Sequence, residues 1–455
     1  ASLLGVLKDL IENLYSNNFL LAVNDRWQSI VDSLEKWQSL SVPLQRTFFE
    51  KRIRPFLNKD NKVCVIISDA MRYEIGDELV SLIRQEDRYS AELEPSLSML
   101  PSYTQLGMAA LLPNRVLAIA DNENGTVTVD GQSSMGTVNR EKILNAATNG
   151  KAAALTSEEF MLMNRDQSRE ILKSTDVLYL YHNRIDHTGD KLQSENQVFE
   201  AAEQTLDDLI KLVKKLTATN ASNILITADH GFIYQDKPID ESDFSSVDAS
   251  GTTVLYRDRR FVIGKGLNAS SGLRSFTSSA LGLTGDLEIQ IPKSINRLRL
   301  QGSGSRFVHG GATLQEVVIP LIKINKKRQS DLSQVDVSIL QGSNKLITSS
   351  QLAVAFYQEQ PITEKIQSRS LRAGLFSEAG DLISESHDLV FDLTSENPRE
   401  RELQVRFLLT RTADESNGKD VILRLEERHP GTSHFVEYRS LRYTLRRSFT
   451  SDFDF

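Results

Sequence analysis

Four short motifs rich in acids and histidines mark where this chain could do chemistry. Asp69 follows the apolar run VCVIIS, and Asp186 lies in HNRIDHTGD just after VLYLY. Asp229 and His230 follow ILIT in TADHG, and His309 sits in RFVHGG ahead of VVIPLIKI. Carboxylates and imidazoles hold divalent metals, and a site for two ions about 3.5 to 4 Å apart needs about six protein donors. With Asp190 the motifs supply them: Asp69, Asp186, Asp190, Asp229, His230 and His309. Their four carboxylates would offset the charge of two divalent ions, so that a phosphate meets a nearly neutral cluster. Taken singly, an Asp after a strand is a helix cap or a turn residue. The combination carries the information, and four of the seven histidines (His182, His187, His230 and His309) fall near these strand ends.

A nucleophile would need a hydroxyl beside such a cluster. The segment PSYTQLGMAALLP opens with turn formers and continues as a helix from about Thr104 to Leu112. A hydroxyl at a helix start lies beside unpaired N–H groups, where a phosphate is favoured, so Thr104 is a candidate nucleophile. The alternative is that Ser102 or Thr104 only caps the helix. Arg72, three residues after Asp69, could clamp a phosphate oxygen or simply pair with Glu74.

These residues need a scaffold that gathers them. From residue 62 short β-rich runs alternate with helical stretches, the pattern of an α/β domain with a mainly parallel sheet. Val63–Ile67, Val177–Tyr181 and Ile224–Thr227 are nearly all apolar, as strands buried on both faces should be. Between the last two, SENQVFEAAEQTLDDLIKLVKKL reads as an amphipathic crossover helix. In open α/β sheets the carboxyl ends of strands border the ligand crevice, so acids distant in sequence converge there.

Residues 1–57 read as a helical segment, 58–326 as the α/β domain and 327–455 as an all-β, sandwich-like accessory domain. An insertion or cap is expected at about 238–300, with short strands in TVLYRD and RFVIG. Its Arg257, Arg259, Arg260, Lys293, Arg297 and Arg299 are either solvated charge or contacts to a phosphate backbone. The run Val317–Ile324 is expected to close the sheet.

At 455 residues the chain exceeds one ordinary core. A formal net charge of -8 argues against coating nucleic acid through bulk charge, though a local basic groove remains compatible. A single cysteine, Cys64, excludes an internal disulfide and any cysteine-built metal site, pointing to a reducing, cytoplasmic setting. No apolar run suggests a membrane span, and the start at Ala1 suggests a piece of a longer protein.

The segments VCVIISDAMRYE, PSYTQLGMAALLP, YLYHNRIDHTGD, ITADHGF and HGGATLQEVVIPLI occur in that order over about residues 60 to 325. Together they resemble the PglZ family, a branch of the alkaline phosphatase superfamily found in BREX phage-defence systems. The resemblance implies one metal held by Asp69, Asp229 and His230, a second by Asp186, Asp190 and His309, and Thr104 as nucleophile between them. The wider superfamily has histidine where this chain has Asp190, so His187 or His182 are alternative ligands. Zinc is the first expectation for the two ions, with manganese or magnesium more competitive at the oxygen-rich Asp186/Asp190 pair. In sulfatases a modified cysteine or serine stands at the Thr104 position, and a threonine cannot form that aldehyde, so sulfatase activity is disfavoured.

Kinship implies in-line attack on phosphorus, a covalent phosphothreonine and its hydrolysis. The expected function is a metal-dependent phosphodiesterase, extending to a nuclease, within a phage-defence assembly. Its expected partners are a phosphate-ester substrate, a nucleotide or nucleic acid included, and other BREX proteins such as the methyltransferase. Two rivals stand beside it: a phosphomonoesterase or phosphomutase with the same ligands, and a non-catalytic scaffold of the defence complex.

Overall fold

Strands β1 (Val63–Ser68), β4 (Val177–His182) and β5 (Asn223–Thr227) form the centre of a six-stranded sheet, and every residue of β1 and β4 is buried. In this computed structural model the described residues are 3–236, 250–300, 306–342 and 344–447. β1 pairs in parallel with β4, Ser68 opposite His182, and with β5, Ile67 opposite Thr227. That register ends the three strands at one level. The residues that follow them therefore share one edge of the sheet.

The sheet is completed by β2 (Tyr89–Leu97), β3 (Ala152–Thr156) and β10 (Val318–Lys326), in the order β2-β10-β5-β1-β4-β3. β3 runs parallel to β4, whereas β10 runs antiparallel to both β5 and β2. The expected closing strand thus lies one place in from the edge, and β2 takes the outer position. β2 carries Glu92, Glu94 and Pro95, residues suited to an unpaired edge. Reversal of β10 has a second effect. Its amino end, not its carboxyl end, faces the crevice, which brings the preceding His309 segment to the same edge as Asp69 and Asp229.

Two apolar layers cover the sheet. Helix α4 (Val198–Ala218) buries Leu209, Leu212, Val213 and Leu216 in the core that holds Cys64, Ile66, Leu178 and Ile226. On the other face Val63, Val65, Ile67 and Tyr179 share a core with Val31, Trp37, Phe48, Phe49 and Ile53. The first 57 residues therefore do not stand apart as a separate segment. They contain helix α1 (Leu3–Asn13) and helix α2 (Ala22–Ser33), joined by a π-helical stretch at Leu14–Leu21; Val31 and the residues after it complete the core, while Leu4, Leu7, Leu10 and Ile11 of α1 stay exposed.

The chain divides into two compact units, one of Ala1–Ile83 with Tyr89–Lys327 and one of Arg84–Arg88 with Arg328–Phe455. Of the expected insertion, residues 238–249 lie outside the described residues. The rest carries β6 (Gly251–Arg257), β7 (Val262–Leu267), β8 (Leu273–Thr277) and β9 (Glu288–Pro292), an antiparallel sheet in the order β6-β7-β9-β8. Phe261, Ile263, Phe276, Ile289 and Ile291 join the core that holds Val65 and Phe48, so this sheet is welded to the α/β body.

Its basic residues are mostly structural. Arg260 and Arg297 are fully buried, and Lys293 pairs with Asp32 at 3.1 Å. Arg260 donates to both carboxylate oxygens of Glu316, at 2.9 and 2.8 Å, and to the carbonyls of Ser294 and Asn296. Glu316 also accepts from the N–H groups of Gly311 and Thr313 at 2.9 and 3.0 Å. One buried ion pair therefore ties the β6–β7 turn to the loop that follows His309. At Gly311 a Cβ would stand 2.2 Å from the Arg260 guanidinium, so only glycine fits there.

In the second unit, Val337–Leu340, Gln351–Gln358 and Glu402–Leu408 form one sheet. Arg369–Ser377, His387–Phe391, Asp420–Arg428 and Phe435–Leu445 belong to another. Val354, Phe356 and Phe407 of the first meet Leu371, Leu375, Leu423 and Leu425 of the second in one core.

Replacing Arg260 by Leu is expected to lower the unfolding free energy of the α/β unit by about 3 to 5 kcal/mol, because it leaves Glu316 charged and buried. Chemical denaturation of the variant checks this, and Arg260→Leu/Glu316→Leu should recover part of the loss.

Candidate metal centre

Backbone donors hold the acids before any ligand arrives. The N–H groups of Ala70 and His230 donate to Asp229 Oδ1 at 3.1 and 2.9 Å, which leaves Oδ2 directed at the cluster. His230 Nδ1 lies 2.9 Å from the Gly231 carbonyl, a contact that requires its proton there and leaves Nε2 as an acceptor. That Nε2 lies 3.4 Å from Asp229 Oδ2 and 3.5 Å from Asp69 Oδ1. A second imidazole, His309, stacks on His230 with ring centroids 4.1 Å apart. Its Nε2 is 3.6 Å from both Asp186 Oδ1 and Asp190 Oδ1.

All six expected ligand residues thus come together at one edge of the sheet. Ligand atoms of Asp69, Asp229 and His230 converge within 4.8 Å, as do those of Asp186, His230 and His309. Asp69 Oδ1, Asp186 Oδ1 and Asp229 Oδ2 are buried and have no hydrogen-bond partner among the described residues. Buried carboxylate oxygens left in that state are costly unless a cation meets them. The donor set therefore fits divalent ions.

Electrostatics agree. Burial, reinforced by Asp186 and Asp229, raises the Asp69 carboxyl well above its ordinary range. Burial pushes Asp186 up to about 7, with His309 opposing and Asp190 adding to the rise. It also pushes Asp229 up to about 6, against the hydrogen bond from Ala70. Burial works to lower His309, but its hydrogen bond to Asp190 and the charge of Asp186 and Asp190 carry it up to about 10. His230 is lowered by burial and then by His309. Without metal the cluster therefore takes up protons as its counter-charge.

Thr104 is the first residue of helix α3 (Thr104–Ala110), and its Oγ1 lies 3.0 Å from His230 Nε2. The helix comes this close because Gly107 has no side chain: a Cβ there would stand 2.4 Å from the Asp229 carbonyl. Neither alternative cap role holds, since the cap residue is Tyr103 without a side-chain bond, and Ser102 Oγ donates to the Gly311 carbonyl at 2.6 Å. A cleft of about 360 Å³ opens beside Thr104, Asp190 and His309.

Other expected contributors point elsewhere. Arg72 is held by Glu74 at 2.5 Å and donates to Tyr15 Oη at 3.1 Å, and its guanidinium lies over the Phe232 ring; it is not among the residues lining the cleft. His187 is exposed, with Lys191 donating to its Nε2 at 2.8 Å. His182 bonds Ser68 Oγ at 3.1 Å and faces Asp208 at 3.3 Å. Asp190 is thus the better placed partner of His309.

Sequence reasoning missed several contributors. Tyr256 at the end of β6 and Asp258 in the β6–β7 turn line the cleft without any local pattern to mark them, beside Arg259, which the sequence offers as a phosphate contact. The Arg260–Glu316 lock spans 56 residues, a separation that spacing does not disclose. Gln45, buried in the amino-terminal segment, donates to the Asp229 carbonyl at 2.7 Å.

Comparison with known proteins gives the family. The model described as "BREX system PglZ alkaline phosphatase-like domain" matches residues 48–324. The "Alkaline phosphatase-like protein PglZ" of Bacillus cereus (strain H3081.97) is 34% identical, covering 99% of this chain and 52% of that protein. The "Alkaline phosphatase-like protein BrxZ" of Escherichia coli O9:H4 (strain HS) is also 34% identical, covering 90% of this chain and 48% of that protein. The chain thus spans about half the length of these curated relatives. Among solved structures, the murine ectonucleotide pyrophosphatase/phosphodiesterase 5 is similar at 12% identity and a TM-score of 0.37, covering 58% of this chain and 88% of that one. A family match extending from the amino-terminal core through strand β10 means that this chain belongs to the PglZ family, the alkaline-phosphatase-like proteins of BREX systems.

Proposed function

We propose that this chain is a divalent-metal-dependent phosphodiesterase, with Thr104 as the nucleophile. The observation that carries the reading is the juxtaposition of Thr104 Oγ1, 3.0 Å from His230 Nε2, with three buried carboxylate oxygens that lack partners. Asp69, Asp229 and His230 would hold one ion, and Asp186, Asp190 and His309 the other, zinc first, with manganese or magnesium the alternatives at the second site. Bound divalent ions supply positive charge that lowers the pKa of a hydroxyl and neutralises phosphate oxygens.

The chain's own residues do the rest. Gly231 fixes the tautomer of His230, the Ala70 and His230 N–H groups orient Asp229, and Gly107 lets Thr104 approach. Thr104 Oγ forms a bond to phosphorus as the bond to the departing alcohol breaks; water then cleaves the phosphothreonine and restores the hydroxyl. A diester suits the cleft better than a monoester because it brings one negative charge rather than two into a space that Asp190 and Asp258 already line. Polynucleotides are one class of such diesters. Family membership supports a place among BREX proteins, and the methyltransferase is the partner proposed among them.

Metal stripping followed by zinc, manganese or magnesium should restore turnover of bis(p-nitrophenyl) phosphate above that of p-nitrophenyl phosphate. Faster monoester turnover would favour the phosphomonoesterase reading, and no turnover with any metal would favour the scaffold. Thr104→Ala should lose on the order of a thousandfold in kcat; full activity in that variant removes the nucleophile assignment.

Stability of the metal-free protein should fall as pH rises. Asp186 and Asp229 titrate in the folded chain at about 7 and about 6, above the unfolded value of about 3.9, and His309 at about 10, above about 6.5. Each therefore adds stability that is complete below its unfolded pKa and lost through its folded one. The melting temperature of chelated protein should be lower at pH 8 than at pH 5.5, and saturating metal should reverse the trend. A chelated protein that gains stability over this range contradicts the charge distribution described above.

A further inference from the structure

The end of β6 and the β6–β7 turn bring an aromatic ring and an acid to the cleft beside the candidate metal ligands. Tyr256, Asp258 and Arg259 line it together with Thr104, Asp190 and His309. Asp258 lines this cleft and belongs to neither group of converging ligand atoms, so its carboxylate is not needed to hold an ion.

This lining is built before substrate arrives. The Asp258 N–H donates to the Phe261 carbonyl at 2.9 Å, and the Arg259 N–H donates to Asp258 Oδ1 at 2.5 Å. Tyr256 Oη lies 3.5 Å from Asp258 Oδ2. Phe261 packs its ring between Tyr103 and Tyr256, with centroids 5.0 and 5.5 Å away. Arg260, the next residue after Arg259, is locked to Glu316. A turn held from both sides keeps its side chains in place, which is what a selective site needs.

We propose that Asp258 and Tyr256 are specificity-determining residues that select phosphodiesters bearing a nucleoside, Asp258 accepting hydrogen bonds from the sugar hydroxyls and Tyr256 packing against the base. The inference rests on the phosphodiesterase reading above and names its substrate class. A carboxylate lining the cleft accepts hydrogen bonds from sugar hydroxyls, which a simple alkyl ester does not offer. An aromatic ring beside it gives the flat base a stacking surface. The volume of about 360 Å³ holds one such group at the cleft.

The test compares adenosine 5′-(p-nitrophenyl phosphate) with methyl p-nitrophenyl phosphate, which share a leaving group and differ only in the substituent that stays on phosphorus. In metal-loaded protein, Asp258→Ala and Tyr256→Ala should each lower the ratio of kcat/KM for the nucleoside ester over the methyl ester by about tenfold, mainly through KM. Asp258→Asn keeps the shape of the turn and should lower the ratio in the same direction, so it carries the test if Asp258→Ala fails to fold. An unchanged ratio, or equal loss on both esters, overturns the proposal. If wild type turns over neither ester, the phosphodiesterase reading has failed separately. Calorimetric titration with AMP then decides this one: affinity about tenfold weaker in Asp258→Asn supports it, and equal affinity or no binding to wild type overturns it.

Discussion

Crowding of carboxylates at one edge of a buried sheet is the constraint on which the rest of this architecture depends. Asp69, Asp186 and Asp229 are nearly or fully buried, and each presents an oxygen without a partner. Like charges at such range cannot all ionise in a low-dielectric site without compensation. Protons supply it when metals are absent, which is why burial raises all three carboxyls and the acids around it raise His309. An arrangement this unfavourable persists only where the surrounding fold over-determines it.

That over-determination comes from two sources. Parallel pairing of β1 with β4 and β5 ends three strands at one level, and backbone N–H groups then aim Asp229. The antiparallel β10 delivers His309 from the opposite chain direction, and the Arg260–Glu316 pair ties its loop to the β6–β7 turn. A buried pair of this kind is weak grounds for net stability, because desolvation consumes much of the attraction. Its contribution here is positional: Gly311 leaves room for the guanidinium, and the carboxylate gathers three N–H and O–H donors of the same loop.

The inserted sheet changes how the cleft is understood. Its basic residues suggest a surface for a phosphate backbone, yet Arg260 and Arg297 are wholly interior and Lys293 pairs with Asp32. What the sheet presents to the cleft instead is Tyr256, Asp258 and Arg259. The same short turn thus spends one arginine on anchoring the scaffold and its neighbours on the ligand side, a division that depends on which side chain points inward.

By itself the sequence determined the three central strands, the crossover helix, the all-β second unit and the six ligand candidates. These are local properties: runs apolar on both faces, helical periodicity, and acids or histidines immediately beyond strand ends. Thr104 was legible for the same reason, as a hydroxyl at a helix start. Tertiary structure alone decided the direction of β10, the edge position of β2 and the union of residues 1–57 with the core, because strand order depends on pairing energies between distant segments. It also turned Arg72 away from the cleft and toward Glu74, and brought Gln45 and the β6–β7 turn into the site. Contacts across tens or hundreds of residues leave no spacing to read; they exist only once burial has chosen which polar groups must find each other.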